Sequence, residues 1–248
     1  MIAATSGAAA PLMLEPRPAS LAAAPARVTL TGAEHRTIRL TNSGRVVAFV
    51  DVAPAGFALD LRGRPRIVPR TDAAASRLDV QPRRVELQPR ETTTLIVSAA
   101  VPPHVRAGDH LALVLLTTQP RRGAGLGVRL QIGIVVIVRV PGLVAHRLDV
   151  SRLRVRRARE GDLLELSVFN RGNVTERLAR DRVRVTLRRR GRVIARLRAV
   201  PREVFPHSPA TETFRYRGRL RGPVRAVVEV ARPAKGVPIL RRSYRIRL

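Results

Sequence analysis

From Leu78 to Leu116 apolar and polar residues alternate: Leu78 and Val80, Val85 and Leu87, Leu95 and Val97, then Leu111, Leu113 and Leu115 stand two apart. A spacing of two puts each set on one face of an extended strand. Pro82, Pro89, Pro102, Pro103 and Gly108–Asp109 break the sets where a chain would turn. Antiparallel strands stacked as a sandwich are the prediction.

The same period continues through most of the chain. In the first half it predicts strands over residues 27–30, 37–41, 46–52, 57–61, 77–80, 92–99, 109–117 and 128–140. In the second half it predicts 148–155, 163–170, 183–188, 193–197, 211–217, 224–230 and 243–248, the seven strands of an immunoglobulin-constant-type sandwich. No segment has apolar residues recurring at three and four, so no helix is expected. Asn42-Ser43-Gly44, Asn170-Arg171-Gly172-Asn173 and Arg190-Gly191 supply turn residues, and residues 62–75, with Gly63, Pro65 and Pro69, read as a long loop. Val140-Pro141-Gly142-Leu143 reads as a short hinge. With 248 residues the chain accommodates two sandwiches of ~100 residues each. The expected fold is all-β, two tandem Ig-like antiparallel β-sandwich domains, over residues 16–142 and 143–248 after a leader remnant at 1–15.

Ile38-Arg39-Leu40-Thr41-Asn42-Ser43-Gly44, Leu78-Asp79-Val80-Gln81-Pro82, Val85-Glu86-Leu87-Gln88-Pro89, Val101-Pro102-Pro103 and Gly108-Asp109 stand in an order and spacing that carries a resemblance. The stretch resembles the Ig-like N-terminal domain of bacterial cell-surface proteins that bind peptidoglycan and partner with WxL proteins, and more distantly the periplasmic pilus chaperones. It departs from the first family at Ser76-Arg77, where such proteins place an aromatic residue. The second half is similar, more weakly, to the second Ig-like domain of the same proteins. The resemblance implies an exported, non-catalytic protein, extracellular or associated with the cell wall, whose partners are peptidoglycan or another surface protein.

Charge adds a second expectation. Lys and Arg total 47 against 18 Asp and Glu, for a net charge of +29, and Lys235 is the single lysine. A GC-rich genome favours Arg over Lys, so the choice of cation carries little meaning. The imbalance is different, because a shortage of carboxylates leaves self-repulsion that an anionic partner relieves. Residues 1–142 hold 18 basic and 9 acidic side chains (+9) and residues 143–248 hold 29 and 9 (+20), so the second half carries the charge.

Catalytic chemistry is poorly stocked. There is no cysteine, and His35, His104, His110, His146 and His207 fall on predicted turns and strand ends without metal-ligand spacing. His104, Asp109 and His110 read as a solvated turn. The Gly123–Gly127 run is followed by β-branched residues rather than a helix, so it is no phosphate loop. No cofactor is expected, and Asn173-Val174-Thr175 reads as a turn. Aromatics are 3% of the chain, too few for stacking platforms, which argues against nucleic acid. The longest apolar run, residues 130–138, is far shorter than the ~20 residues of a spanning helix, leaving only peripheral membrane contact. Ala8-Ala9-Ala10 looks like the small-residue end of a signal peptide.

One constellation stands out. Arg182, Arg184, Arg188, Arg192, Arg196, Arg198, Arg225, Arg245 and Arg247 alternate with apolar residues in four predicted strands of the second half. If those strands share a sheet, the nine guanidinium groups share its outer face, either as a solubilising surface or as a site for an anionic polymer such as wall phosphates, peptidoglycan carboxylates or lipid headgroups. The competing reading is a chaperone-like adaptor whose exposed edge strand pairs with a client strand.

Overall fold

The computed structural model describes residues 20–32, 34–60, 65–68, 74–119, 129–178, 182–231 and 238–246. The expected leader remnant and the Gly123–Gly127 run lie outside the described residues. In chain order the first sandwich contains β1 (Leu21–Ala24), β2 (Arg27–Thr31), β3 (His35–Asn42), β4 (Ala48–Leu59), β5 (Pro65–Val68), β6 (Leu78–Gln81), β7 (Arg84–Leu87), β8 (Thr92–Ala99), β9 (Gly108–Thr118) and β10 (Gln131–Val140). The second contains β11 (Leu148–Ala158), β12 (Gly161–Asn170), β13 (Glu176–Leu178), β14 (Val183–Arg189), β15 (Arg192–Arg198), β16 (Arg202–Val204), β17 (Pro209–Tyr216), β18 (Val224–Ala231) and β19 (Pro238–Ile246). Helical structure among the described residues is confined to one 3-10 turn, Ala75–Arg77.

In the first sandwich the sheet β1-β3-β8-β6 faces the sheet β2-β10-β9-β4-β5, with β7 also paired to β4. Period-two residues meet between them: Ile38, Leu40, Leu95 and Val97 from one sheet, Val50, Val52, Val114, Leu116, Ile134 and Val136 from the other. The second sandwich stacks β11-β12-β17 on β15-β14-β18-β19, and the small pair β13-β16 completes it. Leu164, Leu166, Phe214, Val185, Leu187, Ala226 and Val228 fill that core. Among the described strands pairing is antiparallel except between β10 and β2, which run parallel from Val135 opposite Arg27 to Arg139 opposite Thr31.

Each sandwich contains the same polar device at a strand end. Asn42, fully buried, donates its amide to the carbonyls of Val46, Leu87 and Gln88 and accepts from the Gly44 N–H. Asn170 donates to Val174 and Val204 and accepts from Gly172. A buried backbone group without a partner costs much of its desolvation energy, so these side chains serve backbone that the ladders do not reach. A second repeated device is Gly-Asp at a strand start. Gly161 (φ +139°) precedes Asp162, whose carboxylate accepts from the Leu220 N–H at 2.7 Å and from Arg219 at 3.1 Å. Burial alone would raise the Asp162 carboxyl, but these hydrogen bonds and the charges of Arg157 and Arg219 hold it below the ordinary range.

Several strands differ from the sequence reading. Residues 46–52 and 57–61 were expected as two strands, but β4 runs unbroken from Ala48 to Leu59 through Pro54. Val52 donates its N–H to Arg83 beyond β7 while Phe49 accepts from Gln119 on the β9 side, so even-numbered residues face β7 and β5. Pro54 therefore lacks its N–H where β4 has no ladder partner, between the pairings at 48–51 and 56–59. Inside the expected loop 62–75, Ile67 and Val68 form β5 against Phe57 and Gly56. The alanine-rich β1 and the three-residue β13 and β16 were too short or too weakly patterned to read, while the period-two pair Val85 and Leu87, outside the expected strand ranges, lies in β7.

Replacing Asn170 by Ala should destabilise the second sandwich by about 1–3 kcal/mol for each buried backbone group left without a partner. Leu166→Ala should cost about 2–5 kcal/mol through cavity formation, and urea unfolding measures both.

Candidate functional site

The two sandwiches meet at a junction built around Asp109, the second residue of β9. Its carboxylate is fully enclosed and accepts from Arg139 Nε at 2.7 Å and Nη2 at 3.0 Å, a two-pronged pair across β9 and β10. The same carboxylate accepts the backbone N–H of Thr175, from the second sandwich, at 2.8 Å. The Asp109 N–H donates to the Asn173 carbonyl at 2.7 Å. The Asn173 amide then donates to the carbonyls of Ala107 and Leu143 and accepts the Ala145 N–H, binding both sides of the linker. Gly108 (φ +129°) allows this approach, since a Cβ there would lie 2.3 Å from the Asn173 carbonyl oxygen. Burial would raise the Asp109 carboxyl, but the Arg139 and Thr175 hydrogen bonds and the Arg139 charge outweigh it and the group stays below the usual carboxylate range. An Arg27–Glu203 ion pair and an edge-to-face contact of Phe57 with Phe205, centroids 5.9 Å apart, close the junction.

A face of the first sandwich leads out of this junction. The middle of the outward face of its larger sheet is apolar, with Ala55, Phe57, Leu111, Leu113, Leu115, Val135 and Ile137, and a polar row of Asp51, Thr117 and Gln131 ends it. Phe205 covers the part nearest the junction. Farther along, Leu115 stands between Ala53 and Gly133, both exposed. The face borders the open edge of β10. The Val135 N–H bonds to Ala26 on the β2 side while the Leu130 carbonyl bonds to Thr118 on the β9 side, so odd-numbered residues of β10 direct their backbone away from β9. β2 covers residues 135–139 only. Gln131 and Gly133 therefore present N–H and C=O groups that no described strand pairs.

Beside the junction lies a cavity of about 670 Å³, lined by Leu59, Arg77, His104, Arg106, His110 and His207 among others. Asp109, expected in a solvated turn with His104 and His110, is instead committed to Arg139 and Thr175; His110 Nε2 lies 2.8 Å from the Arg106 carbonyl oxygen. Among the described residues no cluster of three His, Asp or Glu is placed to hold a metal.

The predicted arginines divide. Strands β14, β15, β18 and β19 do share one sheet, and Arg184, Arg188, Arg196, Arg198, Arg225 and Arg245 are exposed on it. Arg241, overlooked in the sequence, joins them and pairs with Glu229 at 3.6 Å. Arg182 does not: it is 5% exposed and bonds Glu176 at 2.7 Å, because that buried carboxylate, also touched by His146, needs a counter-charge inside. A bulge after Leu187 sets Val193 opposite Arg188, which moves Arg192 out of the outer row and opposite Arg189. Arg247 lies outside the described residues. The β10 edge and the Asn173 bracket were missed altogether, since a turn motif and an apolar run carry no sign of what lies beside them.

A carboxyl depressed by folding adds stability above its unfolded pKa, near ~3.9, and the contribution is lost as pH falls through the lower folded value. Asp109→Asn should therefore lower stability by about 1–3 kcal/mol at neutral pH and leave a shallower acid limb. Thermal unfolding of both forms from neutral to acid pH checks this.

No protein-family model matches the chain, and no curated protein matches it in sequence. Solved structures do match. One is a chain of the chaperone–tip adhesin complex vital for synergistic activation of CFA/I fimbriae biogenesis, at 11% identity over 90% of this chain and 98% of that one, with a TM-score of 0.51. The CupB2 chaperone of Pseudomonas aeruginosa matches at 17% identity over 92% and 100%, TM-score 0.45, and the E. coli chaperone DraB at 14% over 93% and 99%, TM-score 0.46. At such identities the likeness is one of fold, and the fold is that of two tandem antiparallel β-sandwiches.

Proposed function

We propose that the chain is a non-catalytic, exported adaptor that captures a client protein by letting an extended client segment add to β10 as a further strand. The observation that carries this reading is the half-covered edge of β10. Gln131 and Gly133 offer unpaired backbone groups directly beside an apolar face, and β2 ends the free stretch at Val135. Strand addition draws affinity from main-chain hydrogen bonds and specificity from alternate side chains, for which Leu115, Val135 and Ala53 provide the surface. The fold shared with a chain of a chaperone–tip adhesin complex supports a protein partner. Association with peptidoglycan, which the family resemblance implies, has no comparable geometry among the described residues of the first sandwich.

In this reading residues 16–142 form the client-binding unit and residues 143–248 the unit that braces it. The Asp109 junction holds Phe205 over one end of the apolar face, which limits where a client segment begins. Arg139 is spent on Asp109 and Arg27 on Glu203, so neither supplies a free charge. Capture then rests on backbone bonds and apolar contact and tolerates salt.

Gly133→Pro removes one outward N–H without touching the β9 ladder, and proline is tolerated at a strand edge. An extended peptide of alternating valine and threonine should bind the wild type in high salt. The variant should bind roughly tenfold more weakly, the loss of about one buried hydrogen bond. Fluorescence anisotropy reads the result, and equal binding by the two forms would sink the proposal.

A further inference from the structure

The far end of the second sandwich holds a cavity of about 940 Å³ whose wall is made largely of arginine: Arg188, Arg189, Arg190, Arg221, Arg225 and Arg245. Three strands supply a row of them in register, since Arg188 stands opposite Arg225 and Arg225 opposite Arg245. Like charges directly opposite on neighbouring strands are destabilising. Arg189 ends β14, Arg190 lies in the turn to β15, and Arg221 lies in the β17–β18 connection. Among the described residues no acidic side chain lines the cavity.

Abundance of arginine alone does not explain this. Elsewhere on the second sandwich exposed arginines find carboxylates: Arg156 pairs with Glu165, Arg215 with Glu160, Arg242 with Asp149 and Arg241 with Glu229. Among the described residues none of the six has such a partner. The Arg189 Nε is buried and makes no hydrogen bond, and Arg188 reaches only the Gly191 carbonyl. Arg190 also holds a left-handed backbone (φ +48°) ahead of Gly191 (φ +81°), a turn in which glycine, asparagine or aspartate is the relaxed choice. Repulsion in register, missing counter-charges and a cationic side chain at an unfavourable backbone position converge on one concavity.

We propose that this cavity binds a compact anion carrying several phosphate groups. Guanidinium forks match phosphate oxygens in pairs, and a concave wall of six suits a clustered charge better than a flat anionic surface. The site is separate from the β10 edge and does not depend on client capture.

Calorimetry with inorganic tripolyphosphate on the full chain tests it. The wild type should bind in a single saturable step, and Arg225→Ser with Arg245→Ser should weaken binding roughly a hundredfold, about tenfold per guanidinium. Arg196→Ser with Arg198→Ser removes the same charge from the same face outside the cavity and should leave affinity nearly unchanged. Equal loss in both double variants would show a general field effect and overturn the site. So would absent binding, equally tight binding of sulfate, or binding only to phosphatidylglycerol vesicles. Each variant carries the change on exposed side chains, and circular dichroism confirms the fold.

Discussion

The enclosed carboxylate of Asp109 is the point on which the arrangement of the molecule depends. It receives two bonds from Arg139 within its own sandwich and one from the Thr175 backbone of the other, while its N–H reaches Asn173. An isolated buried charge would be costly, and here three hydrogen bonds to the carboxylate offset that cost, the one from Thr175 forming only when both sandwiches are docked. Folding of each unit is thereby coupled to their mutual orientation. Phe205 is carried onto the apolar face of the first sandwich by the same docking, so a local ion pair decides how much of that face stays open.

What stays open is an unusual combination. Exposed edges are usually blunted by charge, proline or short length, because they recruit other strands. β10 is ten residues long, apolar over most of its length, and flanked by Leu115 and Val135 on its outer face. β2 caps half of it in parallel, and no described strand pairs the other half. Such an edge is a hazard in a protein without a client and a binding site in one that has one.

Much of the architecture was legible in the residues. Period-two alternation located the main strands because both sandwiches are filled from one face of each strand, and the four strands of the arginine-bearing sheet were grouped correctly. Tertiary context was not legible. The gap expected between residues 52 and 57 contains Pro54, yet Pro54 lies where β4 needs no donor. Arg182 looked like its alternating neighbours but turned inward to meet Glu176. The edge of β10 depended on where β2, about a hundred residues earlier, begins its pairing. A turn motif at Asn173 gave no sign that its amide would hold a linker and a neighbouring domain together.

The arginine cavity lies on the second sandwich and the strand edge on the first, which separates the proposed electrostatic contact from the proposed salt-tolerant one. Amide hydrogen exchange of β10 tests strand addition most directly. In the free protein the Gln131 and Gly133 amides should exchange quickly while those of Ile132 and Ile134, bonded into the β9 ladder, exchange slowly. With an extended segment bound, the two fast amides should become protected. Amides at Gln131 and Gly133 that are already slow in the free protein, or that stay fast in a complex, would contradict strand addition at this edge.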